Sequence, residues 1–487
     1  MIIVKYFKED NILKIKLEQK NYKEVAEIPA YKNKTPRKQR AIWRKLMKVL
    51  SAKDLKDCRF TYEFKDMEKL SPDEPCLFLM NHSSFTDLEI FSTLFSDRQY
   101  HIVMTLDGFV GKEWLMRSLG CIPARKFITD MPLVKDIVHC LKDLGSSVLM
   151  YPEASYSFDG TATSLPSSVG KCLKLFNVPV VMITTEGAFH RDPLYNGLRK
   201  RDVAVKATVK YLLSAEDIKS KSVKELNEIL KQEFSFDHWR WQRENGIKVT
   251  EPFRAEGLER VLYKCPVCGK ERTMHSTDSA LTCKSCGATW ELTEDGAMVR
   301  KDAVADGDGA MVRKDAAAGG DGVAVSNADT ADGEIAASKA GAAGNAARSY
   351  DFSYVSDWYR WERDMVKKEI AEGKYYLDIP VDIVVVKDTK AAYQVGEGRL
   401  VHSLNGFELT GCGGELEYHQ SAKNSYSLYA DYFWYEIGDM VSIGTIDVQY
   451  YCFPKDKSVN VAKVRLATEE MYKLSIPERL RASEEAM

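Results

Sequence analysis

A continuously apolar run at residues 76–80 is the feature that most restricts how this chain can fold. Its five side chains, Cys76-Leu77-Phe78-Leu79-Met80, are typical of a strand that is buried on both faces, as in the sheet of an α/β protein. The residues after it change character, because Thr86 and Glu89 have the spacing of a capping box and apolar residues then recur at helical spacing. The pattern predicts a buried strand, a loop and a helix, in that order.

The region between the strand and the helix contains an imidazole and a carboxylate, His82 and Asp87, five residues apart. Ligands of open α/β sheets bind outside the carboxyl ends of the strands, which is where we expect this loop to lie. A histidine there can take a proton from a substrate hydroxyl at neutral pH, and a carboxylate on its other nitrogen would orient it. Taken alone, however, such a pair is more often a loop histidine and a helix cap.

Strands and helices continue to alternate after this loop. Strands are predicted at residues 101–105, 121–124, 147–151 and 178–184, and helices at 113–119, 133–144 and 165–176. This alternation predicts an α/β layer fold. Arg125 and Glu153 each follow a predicted strand, so we expect both to reach the sheet edge at which His82 lies.

Four short blocks occur in order along this region. They are Asn81-His82-x4-Asp87, Gly120-Cys121-Ile122-Pro123-Ala124-Arg125, Tyr151-Pro152-Glu153 and Val178-Pro179-Val180-Val181. Together they resemble the four ordered blocks of the glycerolipid acyltransferases that acylate 1-acylglycerol-3-phosphate, over roughly residues 60 to 235. The resemblance implies a mixed sheet with flanking helices.

The resemblance also implies a reaction. It implies an acyl-CoA or acyl-carrier-protein donor, a lysophospholipid acceptor that is best represented by 1-acylglycerol-3-phosphate, and a place in phospholipid synthesis. It makes His82 and Asp87 the catalytic pair, with the acceptor hydroxyl as the nucleophile, and it assigns Arg125 and Glu153 to binding the acceptor.

The third block departs from the family pattern. Family members usually continue Pro-Glu with Gly-Thr-Arg, whereas this chain continues with Ala154-Ser155-Tyr156. An arginine at that point could hold a phosphate with its planar guanidinium. Ser155 and Tyr156 offer hydroxyls instead, which suit a phosphodiester or an uncharged head group as readily as a phosphomonoester.

Composition limits the class of protein and its partners. With 487 residues, 45% hydrophobic and 29% charged, the chain is long enough for two or three domains. A formal net charge of -2 gives no overall attraction for nucleic acid. The eleven cysteines are not spaced as a disulfide framework, and no apolar stretch is long enough for a spanning helix. We therefore expect a cytoplasmic protein that meets a lipid substrate peripherally, on the cytoplasmic face of the membrane.

Residues 1–58 are predicted to form an N-terminal arm and a basic amphipathic helix that starts near Pro36. Its predicted apolar face consists of Ile42, Leu46, Val49 and Leu50, and its basic residues are Arg37, Lys38, Arg40, Arg44, Lys45 and Lys48. Such a helix either lies in a membrane interface, attracted by anionic lipid, or packs on its own domain with the basic face in water. The sequence leaves both alternatives open.

Two Cys-x2-Cys pairs follow the predicted acyltransferase domain, which we place at residues 59–250. They are Cys265 with Cys268 and Cys283 with Cys286, and this spacing predicts a zinc ribbon at residues 260–292. Four thiolates close a tetrahedral shell and leave no open position, so the zinc would be structural. His275 is a spare candidate ligand.

The remainder divides at a change of composition. Residues 293–349 are rich in Gly, Ala and Asp and are predicted to be a flexible linker, and residues 350–487 are predicted to be a β-rich domain with flanking helices. That domain has no catalytic signature, and its ligand or protein partner stays open. The alternative to an enzyme is a zinc-ribbon adaptor whose acyltransferase-like domain only binds lipid, with a protein or nucleic acid as partner. The intact His82 and Asp87 pair favours the enzyme.

Overall fold

The computed structural model describes residues 15–301 and 350–476 of the chain. In these residues the strands form three sheets, of seven, four and eight strands. They confirm the predicted fold class, an α/β domain followed by a cysteine-containing region and a β-rich C-terminal domain. Most of the predicted linker, residues 302–349, lies outside the described residues.

The N-terminal segment contacts both large domains. Its strand β1 (Leu17–Gln19) pairs in parallel with the C-terminal sheet, and Leu17 lies opposite Ala392. Helix α1 (Tyr22–Glu27) follows, and helix α2 (Ala41–Asp57) then packs on the α/β domain. The segment predicted as one N-terminal unit is therefore divided between two domains.

The α/β domain is built on a mixed sheet. Its strands are β2 (Thr61–Lys65), β3 (Leu77–Met80), β4 (Tyr100–Thr105), β5 (Cys121–Ala124), β6 (Ser147–Met150), β7 (Val180–Glu186) and β8 (Lys206–Leu213), in the order β2-β8-β7-β3-β6-β4-β5. The five strands from β3 to β7 are parallel, and β8 runs antiparallel to β7. Strand β3 is fully buried near the centre, as its apolar run predicts.

Helices cover both faces of this sheet. They are α3 (Thr86–Leu94), α4 (Glu113–Ser118), α5 (Met131–Val138), α6 (Ser168–Phe176), α7 (Ala188–Arg191), α8 (Ala215–Ser220), α9 (Val223–Glu233) and α10 (His238–Glu244). Because β3, β5, β6 and β7 are parallel, the loops after them meet at one edge of the sheet. This edge carries the loop with His82.

The predicted start and apolar face of α2 are wrong. The helix begins at Ala41, and Ile42 and Val49 are 69% and 71% exposed. The face that is buried consists of Arg44, Met47, Ser51 and Leu55. Spacing alone could not select this face, because α2 carries apolar residues on two sides.

Arg44 can be buried because two of its guanidinium nitrogens, Nε and Nη1, have hydrogen-bond partners inside the protein. It donates to the backbone oxygen of Ser96 at 3.1 Å and to Gln99 Oε1 at 2.9 Å. A buried charge is stable only when such partners replace water. Arg44, which was predicted to belong to the basic face of the helix, therefore anchors α2 to the α/β domain.

The cysteine-containing region is a four-stranded antiparallel sheet. Its strands are β9 (Met274–Thr277), β10 (Ala280–Cys283), β11 (Thr289–Leu292) and β12 (Met298–Arg300), in the order β12-β11-β10-β9. Strand β12 lies where the linker was predicted to have begun, so that boundary is wrong. Buried Met298 pairs with Leu292, and its backbone N–H donates to the carbonyl of Ser353, which holds residues 298–300 on the sheet.

The C-terminal domain has a large sheet whose own seven strands are antiparallel, and one helix precedes and another follows these strands in the chain. The helices are α11 (Val355–Ala371) and α12 (Val461–Ser475), and the strands are β13 (Leu377–Val386), β14 (Ala392–Ser403), β15 (Gly406–Gly411), β16 (Leu416–Gln420), β17 (Tyr429–Trp434), β18 (Gly438–Gly444) and β19 (Gln449–Pro454). This domain is not isolated, since the ring of Tyr432 stacks on Phe158 of the α/β domain with 4.7 Å between centroids. The two domains share a buried contact surface.

Candidate active site

A histidine and an aspartate lie together at the carboxyl end of strand β3. The imidazole Nδ1 of His82 is 3.2 Å from Asp87 Oδ2, and the same oxygen accepts the backbone N–H groups of Ser83 at 2.7 Å and Ser84 at 3.0 Å. Because this oxygen acts as an acceptor, Nδ1 carries the proton and Nε2 keeps its lone pair. The pair has the geometry of a base and its orienting partner.

The other carboxylate oxygen is held from strand β7. The hydroxyl of Thr185 lies 3.1 Å from Asp87 Oδ1 and 3.2 Å from Asn81 Oδ1. Of these two oxygens, the one on the carboxylate of Asp87 is the stronger hydrogen-bond acceptor. The backbone N–H of Thr185 donates to Asn81 Oδ1 at 2.7 Å, which ties the ends of β3 and β7 together. Thr185 is a positioning residue that the sequence analysis missed, although its place at the end of an apolar strand was a usable signal.

The imidazole of His82 is enclosed by two tyrosine rings. The ring of Tyr151 stacks on it with 4.0 Å between centroids, and the ring of Tyr156 lies at 4.3 Å. Burial lowers the pKa of His82, and the neighbouring Asp87 carboxylate opposes this effect. The imidazole is therefore neutral at neutral pH, as a general base must be. Tyr151 was named in the third block but not assigned to the site.

His82 opens onto a cavity of about 1380 Å³. One part of its wall is apolar and comes from α2, α3, α4 and the neighbouring strands: Met47, Leu88, Met104, Leu115, Met116, Leu119 and Cys121. Another part comes from the C-terminal domain and is rich in aromatic and polar side chains. A cavity of this size and lining suits a lipid chain together with a polar head group.

Arg125 lies at the cavity wall, but most of its guanidinium is already used. It donates to Asn33 Oδ1 at 2.9 Å and to the backbone oxygen of Tyr31 at 3.0 Å, and it lies 3.4 Å from Asp130 Oδ2. In the described part of the chain, its Nε atom has no hydrogen-bond partner. That nitrogen is buried, and both terminal nitrogens already have partners in Asn33, Tyr31 and Asp130, so the guanidinium is held by the fold.

Glu153 is buried beneath the His82 loop rather than in the cavity wall. Its carboxylate accepts the backbone N–H of His82 at 3.0 Å and that of Thr163 at 2.8 Å. Burial raises the pKa of Glu153 to about 7, although both N–H groups oppose this rise. The geometry fits a residue that fixes the loop of the imidazole, whereas the family resemblance implies contact with the acceptor.

Three further side chains line the cavity close to His82. Ser155 and Tyr156 are the hydroxyl residues of the altered third block. The third is Lys126, which the sequence analysis did not assign to the site. Strand β5 ends at Ala124, so Lys126 lies in the following loop, and its Nζ is 3.7 Å from the centroid of the Tyr429 ring. Its positive charge contributes to the lowered pKa of His82.

Comparison with known protein families points to the same region. Residues 61–185 match the family model described as Acyltransferase. This span contains the His82 and Asp87 pair and Thr185, which orients it. Over residues 61–185 this chain is therefore similar to the acyltransferase family.

Known proteins resemble the acyltransferase domain over limited lengths. The chain is 28% identical over 130 residues to 1-acyl-sn-glycerol-3-phosphate acyltransferase BAT2, chloroplastic, from Brassica napus, which is 26% of this chain and 37% of that protein. The crystal structure of the 1-acyl-sn-glycerophosphate (LPA) acyltransferase PlsC from Thermotoga maritima is 16% identical, covers 39% of this chain and 76% of that chain, and has a TM-score of 0.33. The match thus spans 37% of the length of the Brassica napus relative.

The four cysteines beyond the acyltransferase domain come together in space. The sulfurs of Cys265, Cys268, Cys283 and Cys286 lie within 4.8 Å of one another. Two of the separations, Cys265 to Cys286 and Cys268 to Cys283, are 3.7 Å. Tetrahedral bonds of about 2.3 Å give sulfur separations close to this value, so the cluster fits a Zn²⁺ ion. His275 is exposed and is not part of the group.

None of the helices within residues 15–301 and 350–476 has the length and apolar character needed to cross a membrane.

Proposed function

We propose that this chain is an O-acyltransferase. It would move a fatty acyl group from acyl-CoA or acyl-carrier protein to the free hydroxyl of a lysophospholipid, as a step of phospholipid synthesis. The observation that carries this proposal is the His82 and Asp87 pair, in which His82 lines a cavity with an apolar wall and Asp87 orients it. The acyltransferase family match over residues 61–185 supports it.

In the proposed reaction, His82 acts as general base. Its Nε2 takes the proton of the acceptor hydroxyl as that oxygen attacks the thioester carbonyl, and Asp87 stabilises the imidazolium that forms. The tetrahedral intermediate then expels the thiolate, which receives the proton back from His82. An ester bond forms, a thioester bond breaks and a free thiol is released. General-base assistance of this kind contributes about 10²- to 10⁴-fold to the rate.

The acceptor is proposed to be a lysophospholipid whose phosphate approaches Lys126. Arg125 is the counterpart of the family cation, but its terminal nitrogens are bonded to Asn33 and Tyr31. Lys126 lines the cavity, and its charge reaches His82. 1-Acylglycerol-3-phosphate, which the family resemblance favours, is the reference acceptor for assay.

The same proposal includes a peripheral site of action at the cytoplasmic face of a membrane. Ile42, Val49 and Trp114 are 69%, 71% and 68% exposed on α2 and α4. Inward-facing residues of these two helices, Met47 and Leu115, line the apolar part of the cavity. Exposed basic residues adjoin them: Arg37, Lys38, Arg40, Lys45 and Lys48. Apolar side chains beside lysine and arginine suit an anionic lipid interface.

We propose that the four-cysteine cluster holds one structural Zn²⁺. Four thiolates leave the ion no open position for a substrate, so it would stabilise the small sheet rather than take part in acyl transfer. The ring of Trp290 in this sheet packs on Trp358 of α11 at 4.8 Å between centroids. The bound ion would therefore also support the contact with the C-terminal domain.

The test is release of free thiol from acyl-CoA and acyl-carrier protein in the presence of a panel of lysophospholipids. Wild type should release thiol and form the diacyl product, and His82→Ala should lose at least 100-fold in kcat. His139→Ala is a matched control, because His139 forms a second histidine–aspartate pair with Asp143 at 2.7 Å on the surface. A folded His82→Ala protein with wild-type turnover would overturn the enzyme and favour the lipid-binding adaptor.

A further inference from the structure

The C-terminal domain forms one wall of the cavity onto which His82 opens. The residues that it contributes lie mainly on and around β17, and include Tyr426, Tyr429, Asp431, Trp434 and Tyr435. This wall is fixed to the acyltransferase domain by a buried contact, because Trp434 Nε1 donates to Asp107 Oδ2 at 2.8 Å. A ligand in the cavity would therefore touch both domains.

Two opposite charges face this cavity without pairing to each other. Lys126 comes from the acyltransferase domain, and its ammonium rests over the ring of Tyr429. Asp431 comes from β17, two residues after Tyr429, so its side chain lies on the same face of the strand. Within the described residues, no ion pair of 4.0 Å or less joins Lys126 to Asp431. Burial lowers the pKa of Lys126, and the carboxylates of Asp107 and Asp431 oppose this effect.

Building on the proposed acyl transfer, we infer that Lys126 and Asp431 select an acceptor with a zwitterionic head group. The phosphate of a lysophospholipid would bind the Lys126 ammonium, and a positively charged amine beyond it would bind the Asp431 carboxylate. The C-terminal domain would thus be a specificity element of the acyltransferase. The monoester 1-acylglycerol-3-phosphate would be a poorer acceptor than an ethanolamine phosphodiester.

The balance of charge in the cavity favours this assignment. A phosphomonoester satisfies Lys126 but brings a second negative charge toward Asp431. An uncharged head group leaves both side chains without a partner in a partly desolvated space, which is costly. A zwitterion places one opposite charge on each of the two residues, its phosphate on Lys126 and its amine on Asp431.

The ionisation of Asp431 is consistent with a role that depends on a cation. Burial raises the pKa of Asp431 to about 7, and the Lys126 ammonium opposes that rise. The Asp431 carboxyl group is thus only partly ionised at neutral pH. An ammonium bound beside it would favour the carboxylate and draw it into an ion pair.

The inference is tested by binding, in the absence of any acyl donor. Affinities of full-length wild type for lysophosphatidylethanolamine and for lysophosphatidic acid of the same chain length are compared by equilibrium dialysis below their micelle concentrations. Wild type should prefer the zwitterion, and Asp431→Asn should reduce that preference about tenfold or more. Glu417→Gln, an exposed acid on β16, is the control and should keep the wild-type ratio. Lys126→Gln should weaken binding of both lipids, because both carry phosphate.

The preference for a zwitterionic head group and the acyltransferase activity can be disproved separately. Equal or tighter binding of lysophosphatidic acid by wild type would overturn the zwitterion assignment, and so would an unchanged ratio in folded Asp431→Asn. Absence of thiol release with every donor and acceptor would instead count against the acyltransferase proposal, whatever the binding ratio. If Asp431→Asn does not fold, Asp431→Glu is the replacement variant, because it keeps the negative charge on a longer side chain. It should keep the direction of the preference, and a reversed ratio would overturn the assignment.

Discussion

Trp434 of the C-terminal domain donates its indole N–H to Asp107 of the acyltransferase domain, with 2.8 Å between the atoms. Both residues are buried, and the hydroxyl of Tyr429 lies 3.3 Å from the same carboxylate oxygen. This contact joins parts of the chain that are 327 residues apart. It holds the aromatic wall over the cavity, so it links the arrangement of the domains to the proposed site.

Replacing Asp107 should loosen that wall. Asp107→Ala leaves the buried indole N–H of Trp434 without an acceptor, which we expect to lower the free energy of unfolding by about 1–3 kcal/mol. Thermal unfolding and limited proteolysis between the domains measure the effect. Asp97→Ala, at an exposed aspartate of the same domain, should change neither. Equal stability of the two variants would mean that the Trp434 contact does not fasten the domains.

Thr185 should matter for catalysis although it lies outside the four sequence blocks. Thr185→Val keeps the shape but removes the hydroxyl that lies 3.1 Å from Asp87 Oδ1. With the carboxylate less firmly oriented, kcat should fall about tenfold while KM changes little, as expected for loss of one hydrogen bond that supports the reaction. Thr184→Val is the matched control on the same strand. A rise in KM or a loss of stability, with kcat unchanged, would assign Thr185 a structural role.

The pH profile should reflect the enclosure of His82. Because burial lowers its pKa, the acid limb of kcat/KM should have its midpoint below the ordinary value of about 6.5. Tyr156→Ala lets water reach the imidazole, raises its pKa and should move this limb to higher pH. Tyr156→Phe keeps the ring and should leave the limb in place. Identical profiles for all three proteins would show that the Tyr156 ring does not control the pKa.

The cysteine cluster should bind one zinc per chain. Cys283→Ser should lose the metal and lower the thermal midpoint, because the ion would tie the two Cys-x2-Cys loops of the small sheet together. Elemental analysis of protein purified without chelator measures the stoichiometry. Cys412→Ser changes a cysteine outside the cluster and should retain the ion. Zinc retained in full by the Cys283→Ser protein would count against the four-thiolate site.

The exposed apolar side of α2 should bind lipid. Ile42→Asp combined with Val49→Asp should reduce co-sedimentation with vesicles that contain anionic lipid, since both side chains are exposed beside basic residues. Tyr62→Asp combined with Phe64→Asp is the control, because these residues form a second exposed apolar pair, on β2. A loss of binding in the control pair alone would place the membrane contact elsewhere.

The sequence alone determined the parts of this protein that depend on local pattern. The apolar run 76–80 predicted a buried strand, and the structure has Leu77–Met80 as the fully buried strand β3. The spacing of the two Cys-x2-Cys pairs predicted a four-sulfur cluster, and the four sulfurs do converge. In both cases the signal lies within a few neighbouring residues, so periodicity and spacing contain it.

The sequence also predicted that His82 and Asp87 would form a pair, because a turn at a helix start brings both into reach. It could not identify the rings of Tyr151 and Tyr156 that enclose the imidazole, or the hydroxyl of Thr185. These groups belong to other strands and loops, and the sheet order decides which of them meet. Register and strand order result from the packing of the whole domain rather than from any one segment.

Tertiary structure alone decided which charges face the cavity. Strand β5 ends at Ala124, so Lys126 turns toward His82, while Arg125 is bonded to the N-terminal arm. Likewise, Asp431 reaches the cavity only because the C-terminal domain docks on the acyltransferase domain. The physical reason is the same in each case: a side chain's direction depends on where a strand stops and what packs against it. Those contacts join residues that are far apart in the chain, so no local sequence pattern predicts them.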